Sequence, residues 1–228
     1  MSGGGDMRTV IASLATAFVL TVVLVLRHGG LAAGGTGGHG SYAFLGFQPG
    51  GTEPVTYSSC RPIPVEFNLR GVDDLTRTRQ VLLEAMGEAS AASHLNLVFA
   101  QDSLRRPRSG GATRDGYPVL IAFADSQELG EMDGVAGRGG SSWIENNGRR
   151  TYISGQIVLE RAWWNRTLTA RRGEDVTRAV AMHELGHVLG LDHVDDNHEI
   201  MAPSGSGTYE YGPGDRRGLA RLGQGPCT

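Results

Sequence analysis

Residues 183–193 read His-Glu-Leu-Gly-His-Val-Leu-Gly-Leu-Asp-His, and this stretch holds three of the chain's 7 histidines. His183 and His187 are four residues apart, so on a helix their rings lie on one face and can share one zinc ion. Glu184 follows the first histidine and can reach a water molecule on that metal without binding the metal itself. The spacing therefore predicts a metal site that carries its own general base.

The third ligand depends on Gly190, which follows the helical part of the pattern. Glycine can take a left-handed conformation and turn the chain sharply, which would bring His193 back to the same metal. Three protein ligands leave a fourth position open, and this distinguishes a catalytic zinc from a structural one. We predict hydrolysis by a zinc-activated water with Glu184 as general base and no covalent intermediate. The alternative is a surface helix with coincidental histidines, and the number of fixed positions argues against it.

The elements that must position this site can be read from hydrophobic spacing and turn signals. The motif lies on a helix predicted over residues 174–189, and Trp163 with Trp164 is expected to pack in the core before it. Strands are predicted at 63–69, 95–100, 117–124 and 150–159, a helix from Asp73 or Asp74 to about 94, and a last short helix at 215–222. This order predicts an α+β fold, with helices packed on a mixed sheet.

The N-terminal part of the chain has a different character. Residues 9–26 carry no charge, which fits a membrane span or a secretory signal. We favour an uncleaved anchor over a cleaved signal peptide, and a buried core helix is disfavoured by the Gly-rich stretch that follows. The predicted organisation is an anchor or signal peptide over 1–27, a Gly-rich linker over 28–56 and a catalytic domain over 57–228. An uncleaved anchor would place the domain at the cell membrane, outside the cytoplasm, and a cleaved signal peptide would give a secreted domain.

The two cysteines, Cys60 and Cys227, stand near the two ends of the predicted domain. A disulfide between them is expected in an oxidising compartment, and two free thiols are the alternative. The formal net charge of -3 gives no attraction to nucleic acid. We expect a monomer that takes a protein or peptide substrate.

Beyond the motif, Met201 stands in His-Glu-Ile-Met-Ala-Pro, and the whole stretch to Pro203 resembles the metzincin metallopeptidases. It is most similar to the matrixins, and among them to small bacterial matrixin-like proteins. Leu191-Asp192 before the third histidine and the spacing to Met201 carry this resemblance. It implies a zincin-like domain with a twisted mixed sheet, a long motif helix and a Met-turn. It also implies that Met201 is a hydrophobic floor under the zinc, and that an edge strand near 135–137 pairs with an extended substrate.

The chain also departs from the matrixin pattern. No segment matches the usual pro-domain with its zinc-blocking cysteine, and we assign Cys60 to the disulfide. The histidines of a structural second zinc are missing upstream of residue 183. Calcium is left open, because four aspartates lie in or beside loops without EF-hand spacing: Asp102, Asp115, Asp125 and Asp133. Tyr209 and Tyr211 are candidate pocket-wall residues, and His198 is read as a loop residue.

Three functions compete on these observations. The first is a membrane-tethered or secreted zinc endopeptidase. The second is a catalytically silent zincin-fold module that binds zinc at the cell surface, and the intact Glu184 argues against it. The third is an intracellular structural protein with a chance motif, and the apolar N-terminal segment argues against that one.

Overall fold

The computed structural model describes residues 40–110, 117–203 and 207–227. The strands, in chain order, are β1 (Ala43–Phe44), β2 (Ile63–Asn68), β3 (Leu97–Asp102), β4 (Val119–Ala124), β5 (Gly137–Asn146), β6 (Arg149–Glu160) and β7 (Leu191–Asp192). The α-helices are α1 (Leu75–Ser93), α2 (Arg161–Leu168), α3 (Gly173–Leu189) and α4 (Pro213–Leu222), and a short 3₁₀ helix spans Gly130–Met132.

Five of these strands form one mixed sheet in the order β3-β2-β4-β6-β5. Strands β2, β3, β4 and β6 are parallel, whereas β5 runs antiparallel to β6 at the edge of the sheet. All six residues of β4 are buried, as its unbroken apolar run predicts for a central strand. The predicted α+β class with a mixed sheet is confirmed.

Helix α1 forms where its capping and apolar spacing predict it. The side chain of Asp74 accepts a hydrogen bond from the Arg77 N–H at 3.0 Å, and the helix ends at His94 in the left-handed conformation. Its buried face includes Val81, Leu82, Ala85, Met86 and Ala89 and packs against the rest of the core. In α2, Trp164 is fully buried and donates from Nε1 to the Thr78 hydroxyl at 2.9 Å, which ties the two helices together.

Strands β5 and β6 form a long hairpin, and β5 is longer than the short edge strand expected near residues 135–137. The two-residue turn between the strands is Asn147-Gly148, and both residues have positive φ, 51° and 74°. Such a turn matches the twist of the flanking strands and fixes their register. Glycine and serine give the first half of β5 little strand propensity of its own. The strand exists because it pairs with β6 along its whole length.

Residues 40–56 differ from the expected Gly-rich linker, because they pack on the domain. Strand β1 pairs antiparallel with β7, the N–H of Leu45 donates to the carbonyl of Gly190 at 2.9 Å, and Val55 is buried. The aromatic and apolar side chains of this segment supply the burial that its glycines cannot. Residues 1–39, with the apolar run at 9–26, lie outside the described residues. Within the part of the chain that is described, no helix has the length and apolar character needed to cross a membrane.

A disulfide joins Cys60 to Cys227, with the sulfur atoms 2.05 Å apart across 167 positions of sequence. It closes a loop that contains the whole five-stranded sheet and all four α-helices. The loop therefore constrains the unfolded chain over almost its entire folding unit.

Candidate metal centre

Helix α3 and the turn that ends it bring three imidazoles together. His183 and His187 lie one turn apart near the C-terminal end of α3. Gly190 follows with φ 121°, and its N–H donates to the carbonyls of Gly186 and His187. The chain then reverses through β7, which pairs with β1, and this pairing sets the position of His193.

The three Nε2 atoms form a triangle with every side 3.1 Å long. In a tetrahedral site with zinc–nitrogen bonds of about 2.0–2.1 Å, two ligand nitrogens are about 3.3 Å apart. The observed separations therefore fit one zinc ion bound by all three side chains. No other group of three or more potential ligands of this kind is found among the described residues.

Backbone carbonyls hold two of these rings in the tautomer that a metal needs. Nδ1 of His183 donates to the carbonyl of Ile200 at 2.7 Å, and Nδ1 of His187 donates to the carbonyl of Leu191 at 2.9 Å. A carbonyl can only accept, so the proton is on Nδ1 and the lone pair of Nε2 is free for a ligand. Both rings are thus oriented before any metal binds.

The same histidines are held in the neutral form. Burial lowers the pKa of His183 to about 4, and burial together with the neighbouring imidazoles lowers the pKa of His187 well below its ordinary value. Burial also lowers the pKa of His193. Neutral imidazole is the metal-binding form, so the site is ready for a cation at neutral pH.

Glu184 lies beside the triangle and is 5% exposed. Burial raises the pKa of Glu184 to about 8, against the opposing effects of the Arg138 charge and of the nearby backbone N–H of Gly139. A buried carboxylate with its pKa near neutrality can both take and release a proton. A cation held by the three histidines would favour the ionised form of this group.

Two glycines of β5 let the motif helix lie this close to the sheet edge. A Cβ on Gly137 would come within 2.9 Å of Oε1 of Glu184, and a Cβ on Gly139 would overlap the Glu184 carbonyl oxygen. Any larger residue would push β5 away from α3. This pair was not predicted from the sequence, although glycines spaced by two in a strand could have indicated a close backbone approach.

The sequence profile of the matrixins, peptidase family M10, matches residues 78–222, which is more than half of the chain. The chain belongs to the matrixin family. No curated protein sequence matches it. Among solved structures, it is similar to metalloproteinase-II from Bacteroides fragilis, with 13% sequence identity and a TM-score of 0.41. That match covers 78% of this chain and 55% of the other, so the chain spans about half the length of that protein.

In this matrixin, Met201 packs directly under the motif helix. A Cβ on Gly186, between the two helical histidines, would lie 2.5 Å from the sulfur of Met201. Met201 is fully buried, and its backbone carbonyl accepts from the N–H of Val194, the residue after His193. The methionine thus contacts both segments that carry the histidines.

Two buried carboxylates hold this Met-turn against α4. Asp215 accepts from the N–H of Ile200 at 2.6 Å and from that of Gly212 at 3.0 Å. Glu199 accepts from the first turn of α4, at Gly214 (2.9 Å) and at Asp215 (2.8 Å). Each carboxylate therefore satisfies backbone groups of the other's segment, and the carbonyl of Ile200 is fixed where it orients His183. Burial, with the charge of Glu199, raises the pKa of Asp215 to about 7.

The contacts of the other candidates are with residues outside the three histidines. Tyr211 is buried and donates to the carbonyl of Met182 at 2.7 Å, while Tyr209 stacks under the guanidinium of Arg172 at 4.4 Å. His198 is 84% exposed and contacts Asp196.

The aspartates named for calcium do not form one cluster among the described residues. Asp102 receives two hydrogen bonds from Arg79, and Asp125 is ion-paired with Arg161. Asp133 ends the short 3₁₀ helix, and Asp115 lies outside the described residues.

Proposed function

We propose that this matrixin is a zinc-dependent metalloendopeptidase in which Glu184 is the general base. The observation that carries the proposal is the triangle of Nε2 atoms, 3.1 Å on each side, with a buried carboxylate beside it. His183, His187 and His193 would hold the metal. Zinc, when bound there, would polarise the scissile carbonyl and make a water molecule more acidic.

Glu184 supplies the proton chemistry in this proposal. Its carboxylate accepts a proton as water attacks the peptide carbonyl, and it delivers that proton to the leaving amine. The carboxylate lies between the helix and the sheet edge, against Gly137 of β5. This mechanism needs no serine or cysteine nucleophile, and both cysteines are joined in the disulfide.

The outer edge of β5 is the surface on which an extended substrate would bind. The carbonyl of Ala136 accepts from the N–H of Glu160, so backbone groups at 136, 138 and 140 point toward β6. Those at 137, 139 and 141 point away from β6, and β5 is the last strand on that side of the sheet. An added peptide strand would pair there by main-chain hydrogen bonds, a few residues from Glu184.

Met201 would support the metal from below, since it is packed against the helix between the two helical histidines. We further propose that the domain acts outside the cytoplasm. The disulfide supports this, because disulfides persist in oxidising compartments. The apolar run at 9–26 supports either a membrane anchor or a secretory signal. A monomer remains our expectation.

The alternative is a silent module that binds zinc at the cell surface. The intact and buried Glu184 speaks against it, because a pure binding site gains nothing from burying a carboxylate beside the ligands.

Zinc content and peptide cleavage, measured on the same purified samples, separate the two. We expect cleavage that a zinc chelator abolishes and added zinc restores. Glu184→Gln should keep one zinc per chain and lose about 10²–10⁴-fold in kcat. The control is Glu88→Gln, which alters an exposed carboxylate on α1. A zinc-loaded chain that cleaves nothing in a broad peptide panel would favour the silent module.

A further inference from the structure

In the part of β5 nearest the metal centre, only one residue is not a glycine. Residues 137–140 read Gly-Arg-Gly-Gly, so Arg138 stands alone on the edge that faces a substrate. It is half-buried, unlike Arg149, which is exposed at the far end of the hairpin. Its positive charge would dominate the electrostatic potential at the position of an adjacent peptide strand.

Arg138 and Gly140 lie on the face of β5 opposite to α3. The Cβ positions of Gly137 and Gly139 point at Glu184 on α3, and side chains along a strand alternate between faces. A Cβ on Gly140 would meet no heavy atom within 4 Å. The space beside Arg138 on this face is therefore open to a side chain from a neighbouring strand.

The charge of Arg138 is not neutralised by an ion pair within the described residues. Its Nε donates to the backbone carbonyl of Glu131 at 2.6 Å, which anchors the guanidinium and leaves the two terminal nitrogens for other acceptors. By contrast, Arg161, which is also partly buried and lies on α2, contacts both Asp125 and Glu128. An anchored and unpaired guanidinium has already lost side-chain freedom and is suited to bind a carboxylate.

We propose that Arg138 determines specificity by selecting peptides that carry Asp or Glu at the position opposite it on β5. The inference rests on the proposed function, because it needs a substrate strand paired with that edge. Directly opposite side chains of paired strands are about 4.5–5.5 Å apart at Cβ and lie on the same face. A Glu or Asp there would reach the terminal nitrogens of Arg138 across the open space at Gly140.

A partly exposed ion pair of this kind contributes a modest preference, and we expect a factor of about 3–10 in kcat/KM. The preference should weaken as ionic strength rises, because partly exposed pairs are screened by salt.

The test begins with a peptide library digested by the purified chain and read by mass spectrometry. We expect acidic residues to be enriched at one fixed distance from the cleaved bond. A matched pair of peptides, with Glu or Gln at that position, then gives a ratio of kcat/KM within each enzyme variant. Because the ratio is internal to one variant, a change in the folded fraction cancels.

Arg138→Ala should bring the ratio from about 3–10 to about 1, and Arg138→Glu should invert it. Arg149→Ala removes an exposed arginine at the far end of the hairpin and should leave the ratio unchanged. A wild-type ratio near 1, or a ratio that survives Arg138→Ala, would overturn the assignment while leaving the peptidase proposal intact. Absence of any chelator-sensitive cleavage would overturn the peptidase proposal and the assignment with it.

Discussion

Replacing Gly139 by Ala tests whether the contact between β5 and α3 sets the geometry of Glu184. The added Cβ would overlap the Glu184 carbonyl oxygen and lie 3.0 Å from both its carbonyl carbon and its Cα. Carbon atoms in van der Waals contact are about 3.5–4.0 Å apart, so strand and helix must separate by about 0.5–1 Å. The obstacle is backbone, so no rotation of a side chain can relieve it.

Overpacking of this size costs about 1–3 kcal/mol in the free energy of unfolding. A displacement near 1 Å at a reacting group can cost about 10²-fold in rate. For Gly139→Ala we therefore expect both a lower urea midpoint and a fall of about 10–10²-fold in kcat/KM on a neutral peptide. Zinc content should be measured in parallel, so that metal loss is separated from displacement of Glu184.

The neighbouring glycine provides the control for stability. A Cβ on Gly140 meets no heavy atom within 4 Å, so Gly140→Ala should change the free energy of unfolding by no more than about 0.5 kcal/mol. Gly87 on α1 has the same open surroundings, and Gly87→Ala is the control for activity. If Gly139→Ala were as stable as Gly140→Ala and as active as Gly87→Ala, the close approach would have no part in positioning Glu184.

Two further predictions concern stability. Replacing Cys60 and Cys227 together by Ser should lower the free energy of unfolding by about 2–5 kcal/mol, because a disulfide across 167 positions then no longer restricts the unfolded chain. An unchanged urea midpoint would refute this. The pKa of Asp215 is raised from 3.8 to about 7 in the folded chain. Between these two pH values the folded state therefore keeps a proton that the unfolded state releases. Its contribution to stability is present at low pH and is lost as pH rises from about 4 to about 7, and Asp215→Asn should flatten this part of the curve at constant zinc. A variant with the wild-type slope would show that another group carries it.

Much of this architecture follows from local signals in the sequence. Helix α1 is marked by Asp74 at its start, and the apolar run of β4 marks a strand buried on both faces. The histidine spacing and Gly190 predict the motif helix, its end and the return of the chain toward His193. These features depend on residues within one or two helical turns, so the sequence alone carries them.

The parts that could not be predicted depend on partners far along the chain. Three of the first four residues of β5 are glycines, and this part forms a strand because it pairs with β6 and because a favourable turn sets the register. Residues 40–56 contain glycines that indicate a linker, yet β1 pairs with β7, which follows the motif helix far along the chain. The hydrogen bond from the Ile200 N–H to Asp215 is also a contact between distant parts of the chain. The sequence indicates only that Asp215 is an acidic residue at the start of a helix.

The glycines of β5 connect the structure of the site to its proposed selectivity. Gly137 and Gly139 are needed on one face, because any side chain there would displace the helix that carries Glu184. On the other face, the open position at Gly140 leaves Arg138 without a neighbouring side chain on its own strand to shield it. The glycines that permit close packing of β5 against α3 thus also leave Arg138 as the only long side chain that a substrate strand would contact in this part of β5. Under this reasoning, a bulky residue at 140 would weaken the acidic preference without disturbing the contact between β5 and α3, whereas one at 139 would disturb that contact first.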